Sequence, residues 1–205
     1  MKKNLQTLIG RTDGGVTVET SLTIMLLIFL TGGSIEAGYA FYQYNGAQQA
    51  ARTGARIAAT SNPVAREMVT LTGLDNGGTQ GQTIPDYEFT CDTETNSCSR
   101  GSFDNQAMKR ILYGPDEDGA CGATTRPRRG MCDVFRDAKT AKVSVAYLSS
   151  GLGTAGYHGD TAPLVSVTLR DVPLNFAFLD IIGFKNLIHL PPVEATLMGE
   201  DLKNG

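Results

Sequence analysis

From Gly14 to Ile35 the chain carries a single charged residue, Glu19. The heart of this run is Leu22-Thr23-Ile24-Met25-Leu26-Leu27-Ile28-Phe29-Leu30. As a helix rising about 1.5 Å per residue it reaches roughly 33 Å, close to the about 30 Å of a hydrocarbon core. The run is therefore read as a membrane span. Lys2, Lys3 and Arg11 precede it, opposed only by Asp13. This basic head places the amino terminus in the cytoplasm and directs the rest outward.

Glu19 is the anomaly in the run. A carboxylate at the centre of a membrane costs about 2.5–3.5 kcal/mol on insertion scales, and less near the edge, where Glu19 lies. It could snorkel to water as an interfacial acid. Alternatively, cleavage after Gly14 leaves Gly15 as the new first residue and Glu19 as the fifth. The freed amine is then a cation at the membrane face, which Glu19 of a neighbouring chain can neutralise.

The order basic leader, Gly14, four residues, Glu19, apolar helix resembles the class III signal peptide of type IV pilin-like proteins. That resemblance implies cutting by a prepilin peptidase between Gly14 and Gly15, with the helix retained. Thr20 stands where these proteins often carry Phe or Tyr. A secretory signal peptide is the competing reading, with Leu22 to Leu30 as its apolar region and Gly38-Tyr39-Ala40 as the cleavage site. Glu19 and the long amino-terminal region fit it poorly.

The apolar run does not end in a turn. The first proline after it is Pro63, and Ser61-Asn62-Pro63 makes a stop, so one helix is expected from about Val16 to Thr60. Small residues recur along it at spacing four. Ala47, Ala51, Ala55 and Ala59 form one ridge, and Gly46, Ala50, Gly54 and Ala58 form another. Gly33 and Ala37 repeat the spacing nearer the membrane. Such ridges let a second helix approach closely. Arg52 and Arg56, also four apart, share a face and could meet acids on a neighbour or water.

Glu36-x-Gly38, the aromatic residues that follow, Asn45, and Ala50-Ala51-Arg52-x-Gly54-Ala55-Arg56 with Ala58-Ala59 resemble the signature of the TadE-like family. These are minor pseudopilins of the tight adherence (Flp) pilus system. Tyr39 replaces a frequent Arg of that pattern, and Ala47 a frequent Leu. The likeness covers about residues 10–60. It implies a single-pass inner-membrane pseudopilin with its carboxy-terminal part in the periplasm. It also implies a non-enzymatic role in assembling an adhesive pilus, with prepilin peptidase, other pilin or pseudopilin subunits, the inner-membrane assembly platform and membrane lipid as partners.

Beyond Pro63 the pattern changes. Residues 73–82 read as a flexible linker or loop. Tyr87 to Thr90 alternates as a short strand, and Phe103 to Tyr113 has helical potential ended by Gly114-Pro115. Val143, Val145 and Tyr147 alternate with polar or small residues, as do Val165, Val167 and Leu169, so an antiparallel hairpin is expected. Leu174 to Phe184 reads as a short amphipathic helix. Leu187 to Leu190 and Val193 to Met198 read as a final strand or hairpin. The fold class is α+β: a long amino-terminal helix continuing outward, then a small antiparallel-sheet, pilin-like domain. The organisation is 1–14 leader, 15–62 membrane and packing helix, and 63–205 exported domain.

Cys91, Cys98, Cys121 and Cys132 lack the spacing of zinc sites, and in an exported domain they are read as disulfides. Nearest-neighbour pairing closes two short loops, but three connectivities are open. Asp116-Glu117-Asp118 and Arg126-Pro127-Arg128-Arg129 form two loops of opposite charge, solvated or forming a contact patch. The chain holds 18 basic and 21 acidic residues, for a net charge of −3, which argues against a nucleic-acid clamp.

No cofactor or metal is expected. Gly151-Leu152-Gly153-Thr154-Ala155-Gly156 spells G-x-G-x-x-G, but a loop rather than a helix follows it, so it is not read as a dinucleotide site. His158 near Asp160 could serve Ser149, yet no nucleophile elbow is present. His189 sits in an apolar run and is read as structural. The alternative to a pseudopilin is an uncleaved membrane-anchored, or a secreted, binding domain.

Overall fold

Asp13 to Ala59 form one helix of 47 residues, here α1. The computed structural model describes residues 13–115, 119–122, 128–156, 162–174, 176, 188–199 and 202. The leader residues Lys2, Lys3 and Arg11 lie outside them. So do the acidic run 116–118, Arg126 and Pro127, His158, and most of the expected helix of 174–184. The chain divides into two units. One holds α1 up to Phe41 together with Asn175–Lys185, and the other holds Tyr42–Leu174 and Asn186–Gly205.

The helix ends where its donors run out. Thr60 N–H falls back on Ile57 C=O at 3.2 Å, and Ser61 Oγ donates to the same carbonyl at 2.6 Å. Pro63, fully buried, has no N–H with which to extend the ladder. The chain then runs beside residues 102–104. Asp104 N–H donates to Val64 C=O at 2.7 Å, Arg66 N–H donates to Ser102 C=O at 3.2 Å, and Ala65 bridges Phe103. Arg66–Thr70 make a short 3-10 helix.

The sheet has five antiparallel strands: β1 (Glu88–Asp92), β2 (Ser97–Cys98), β3 (Lys142–Leu148), β4 (Leu164–Arg170) and β5 (Val193–Met198). Their order is β2-β1-β3-β4-β5. The pairing register aligns Phe89, Tyr147, Val165 and Leu197 in one row. A second row is Cys91, Val145, Val167 and Ala195. These alternating residues share one face, and in β1, β3 and β4 all of them are buried. The other face carries Thr90, Ser144, Ala146, Ser166, Thr168 and Thr196.

Helix α2 (Asn105–Tyr113) starts at Asp104, whose Oδ1 accepts the N–H groups of Gln106 and Ala107 at 2.9 and 3.1 Å. This satisfies donors that the first helical turn leaves open. Its buried stripe is Ala107, Met108 and Ile111. A single turn, α3 (Met131–Val134), follows Gly130. Asp133 pins the loop around it, taking Gly122 N–H at 2.7 Å and Gly130 N–H at 3.0 Å.

The stretch 73–82, expected to be a flexible linker or loop, is a loop laced to the glycine-rich segment. Gly81 N–H donates to Ala155 C=O at 3.0 Å, and Ala155 N–H returns to Gln82 C=O at 2.8 Å. Gly156 N–H reaches Thr72 C=O at 2.8 Å. The backbone of G-x-G-x-x-G is thus spent on a neighbouring loop. At Gly156, with φ at 99°, the chain adopts a conformation that side chains disfavour, and an added Cβ would meet Gln80 Cγ at 2.8 Å.

Candidate functional site in the amino-terminal helix

The first half of α1 turns its apolar side chains outward. Val16, Val18 and Leu22 are each 65 % exposed, and Ile24 through Leu30 are all more than half exposed. A water-soluble helix would bury such a surface. This one has the length and composition to cross a membrane and leaves its apolar run uncovered. It suits a membrane anchor.

The hydroxyls within it are already satisfied. Thr20 Oγ1 donates to Val16 C=O, Thr23 Oγ1 to Glu19 C=O, Thr31 Oγ1 to Leu27 C=O and Ser34 Oγ to Leu30 C=O, each at 2.8 Å. Back-bonding of this kind lets Ser and Thr enter an apolar medium without an orphan donor. Glu19 is exposed on this half, four residues beyond Gly15. Gly14 lies within the first turn of the helix.

The small residues fall into two groups. A Cβ on Gly15, Gly33 or Gly38 would meet nothing within 4 Å. Farther along, the ridge is covered by the chain itself. A Cβ on Gly46 would lie 3.0 Å from Phe135 Cδ2, and one on Gly54 would lie 2.8 Å from Met131 Cγ. Ala47, Ala50, Ala51, Ala55 and Ala58 are fully buried and Ala59 nearly so. The outer part of the ridge therefore receives α3 and the residue after it. Glu36 is buried at 6 % exposure, whereas Gly38, Arg52 and Arg56 are exposed. Spacing four puts the two arginines on one side, away from the buried alanines.

Sequence reasoning missed Met131 and Phe135. Their signal was faint: apolar residues at positions 131, 134 and 135 in a segment otherwise rich in charge and glycine.

Residues 14–56 match the family model described as TadE-like protein. This segment is TadE-like. The TadE-like match begins at Gly14, takes in the exposed apolar run, Glu36 and both arginines, and stops three residues before α1 ends. No curated protein and no solved structure matches the chain.

The cysteines pair as Cys91–Cys98 and Cys121–Cys132. The first joins directly opposed residues of β1 and β2. The second closes the loop that carries α3. Ser149 Oγ donates to Asp86 at 2.8 Å. His189 is exposed and lies opposite Pro173 in an isolated antiparallel bridge, whose hydrogen bonds run from Leu174 N–H to Ile188 C=O and from Leu190 N–H to Val172 C=O. Among the described residues no cluster of His, Cys, Asp and Glu could hold a metal ion. At the start of α2, Arg66, Asp104, Asn105, Gln106 and Lys109 line an open groove in which Arg66 Nε and Asp104 Oδ2 pair at 3.1 Å. It holds a capping carboxylate and its counter-ion.

Proposed function

We propose that the chain is a pseudopilin that helps assemble a tight adherence (Flp-type) pilus and acts through its amino-terminal helix. The observation that carries this reading is a coincidence. The TadE-like segment 14–56 starts at the glycine before the proposed cut and contains the exposed apolar half of α1. Prepilin peptidase would cleave between Gly14 and Gly15, from the cytoplasmic side of the inner membrane. The helix would stay in the bilayer and the sheet domain would face the periplasm.

Assembly then follows from charge and shape. Cleavage creates an amine at Gly15. Glu19 of a neighbouring subunit neutralises it at the membrane edge, where an unpaired charge is costly. The bare faces of Gly15, Gly33 and Gly38 permit close approach of other helices, while the ridge from Gly46 to Ala59 ties α1 to its own domain. Other pilin or pseudopilin subunits and the inner-membrane assembly platform are the partners this arrangement supports.

Glu19→Ala tests the pairing. Processing of the leader should persist, while the amount of pilus on the cell surface should fall. Unchanged pilus yield would reject the role given to Glu19.

A further inference from the structure

The two edges of the sheet are finished differently. At the β1 edge, β2 pairs Cys91 and Asp92, and Ser99 takes over at Thr90, its N–H donating to Thr90 C=O at 2.7 Å and its Oγ accepting Thr90 N–H at 3.0 Å. At the other edge, β5 pairs with β4 in unbroken register from Val193 to Met198. Among the described residues no backbone group beyond β4 bonds to this strand. It has no bulge, no lysine and no internal proline, and Glu194 is its single charged residue. Leu197 and Met198 are 42 % and 48 % exposed.

The sequence of this strand is complementary to itself. In an antiparallel pair, opposed side chains lie on one face, so a sheet continued by a two-fold axis keeps its inner face only in registers of even sum. Val193, Ala195 and Leu197 lie on the inner face, and Glu194, Thr196 and Met198 on the outer. Two of these registers, centred on Ala195 and on Thr196, pair five residues of each strand, and the first opposes the larger inner-face side chains. It sets Val193 against Leu197 of the second copy, an apolar cross-strand pair, and Glu194 against Thr196. No like charges meet, whereas sliding the register to oppose Glu194 with itself would be destabilising.

We propose that β5 pairs antiparallel with β5 of a second copy of this chain, centred on Ala195, joining the two sheets into one. One six-residue strand per chain gives an interface below the standard size of stable complexes. Pairing therefore depends on anchoring both chains in one membrane, which raises their effective concentration. The inference needs the anchor and does not need the pilus role.

The test uses the full chain in phospholipid vesicles. All four native cysteines are in disulfides, so an introduced cysteine is the unique thiol. Ala195→Cys should give a covalent dimer with a short bismaleimide. Lys109→Cys, on the exposed side of α2, should remain monomeric. In the Ala195→Cys background, Thr196→Glu should abolish the dimer by opposing two carboxylates, and adding Glu194→Lys should restore it. Retained disulfides and melting temperature establish that each variant is folded. Crosslinking at Ala195→Cys no greater than at Lys109→Cys would overturn the proposal, as would a dimer indifferent to Thr196→Glu. Loss on Thr196→Glu without recovery in the charge swap would overturn the register.

Discussion

Met131 occupies the space in which a side chain at position 54 would begin. A Cβ on Gly54 would come within 2.8 Å of Met131 Cγ, and Met131 itself is fully buried. The glycine weakens the helix by about 1 kcal/mol relative to alanine, so its presence is explained by this approach. Gly54→Ala should therefore destabilise the fold, because overpacking costs about 1–3 kcal/mol and offsets the gain in helix propensity. Met131→Ala alone should cost about 2–5 kcal/mol. Together they should cost less than the sum, since each relieves the misfit left by the other. Urea unfolding of the four chains in detergent measures this coupling. Strict additivity would mean that the two sites do not pack.

Tyr147 joins the sheet to the residue just past α1. Its hydroxyl accepts Val64 N–H at 3.0 Å across 83 residues, and its side chain is fully buried. Burial pushes the phenol above its ordinary range, so the side chain stays neutral. Tyr147→Phe should cost about 1–3 kcal/mol by stranding a buried donor. An unchanged midpoint in thermal unfolding would show that Val64 finds another acceptor.

Two carboxylates near the helix stop set an acid dependence. Glu67 is held below its ordinary range by the Ser102 hydroxyl and then by the Ser102 N–H. At Asp104 burial pushes the other way, but the N–H of Ala107, the Arg66 guanidinium and the N–H of Gln106 outweigh it, and the net shift is also downward. A lowered pKa contributes stability that is present above the unfolded value and lost as pH falls through the folded one. The melting temperature should therefore drop as pH falls below about 4. Glu67→Gln combined with Asp104→Asn should flatten that dependence. An equally steep curve in the double variant would assign the acid sensitivity elsewhere.

The Cys121–Cys132 bridge closes the loop that carries α3, which covers the Gly46 to Ala59 ridge. Replacing both cysteines by serine should cost about 2–3 kcal/mol, the value for a short closed loop. A stability within error of the native chain would show that Asp133, through Gly122 and Gly130, suffices to hold the turn.

What could be read in advance follows from the length of each pattern. The apolar run, the glycine before Glu19 and the four-residue ridges extend over many turns and stand out from the sequence. So do β3 and β4, where Val143, Val145 and Val165, Val167 alternate over seven residues each. Shorter features gave no period. β2 has two residues and α3 has four. The stretch 73–82 was legible as a linker or loop but not as an ordered one, because its glycines advertise freedom, whereas the backbone partners that order it belong to residues 155 and 156 in a distant part of the chain. At the ridge, the small residues revealed that something approaches closely, but their spacing does not distinguish a neighbour's helix from the chain's own Met131 and Phe135.

Mass spectrometry of the mature amino terminus, from cells with and without prepilin peptidase, bears most directly on the assembly role. The account predicts a chain beginning at Gly15 when the peptidase is present and an uncut chain when it is absent. A protein that begins at Met1 in both, or at Phe41, would contradict it.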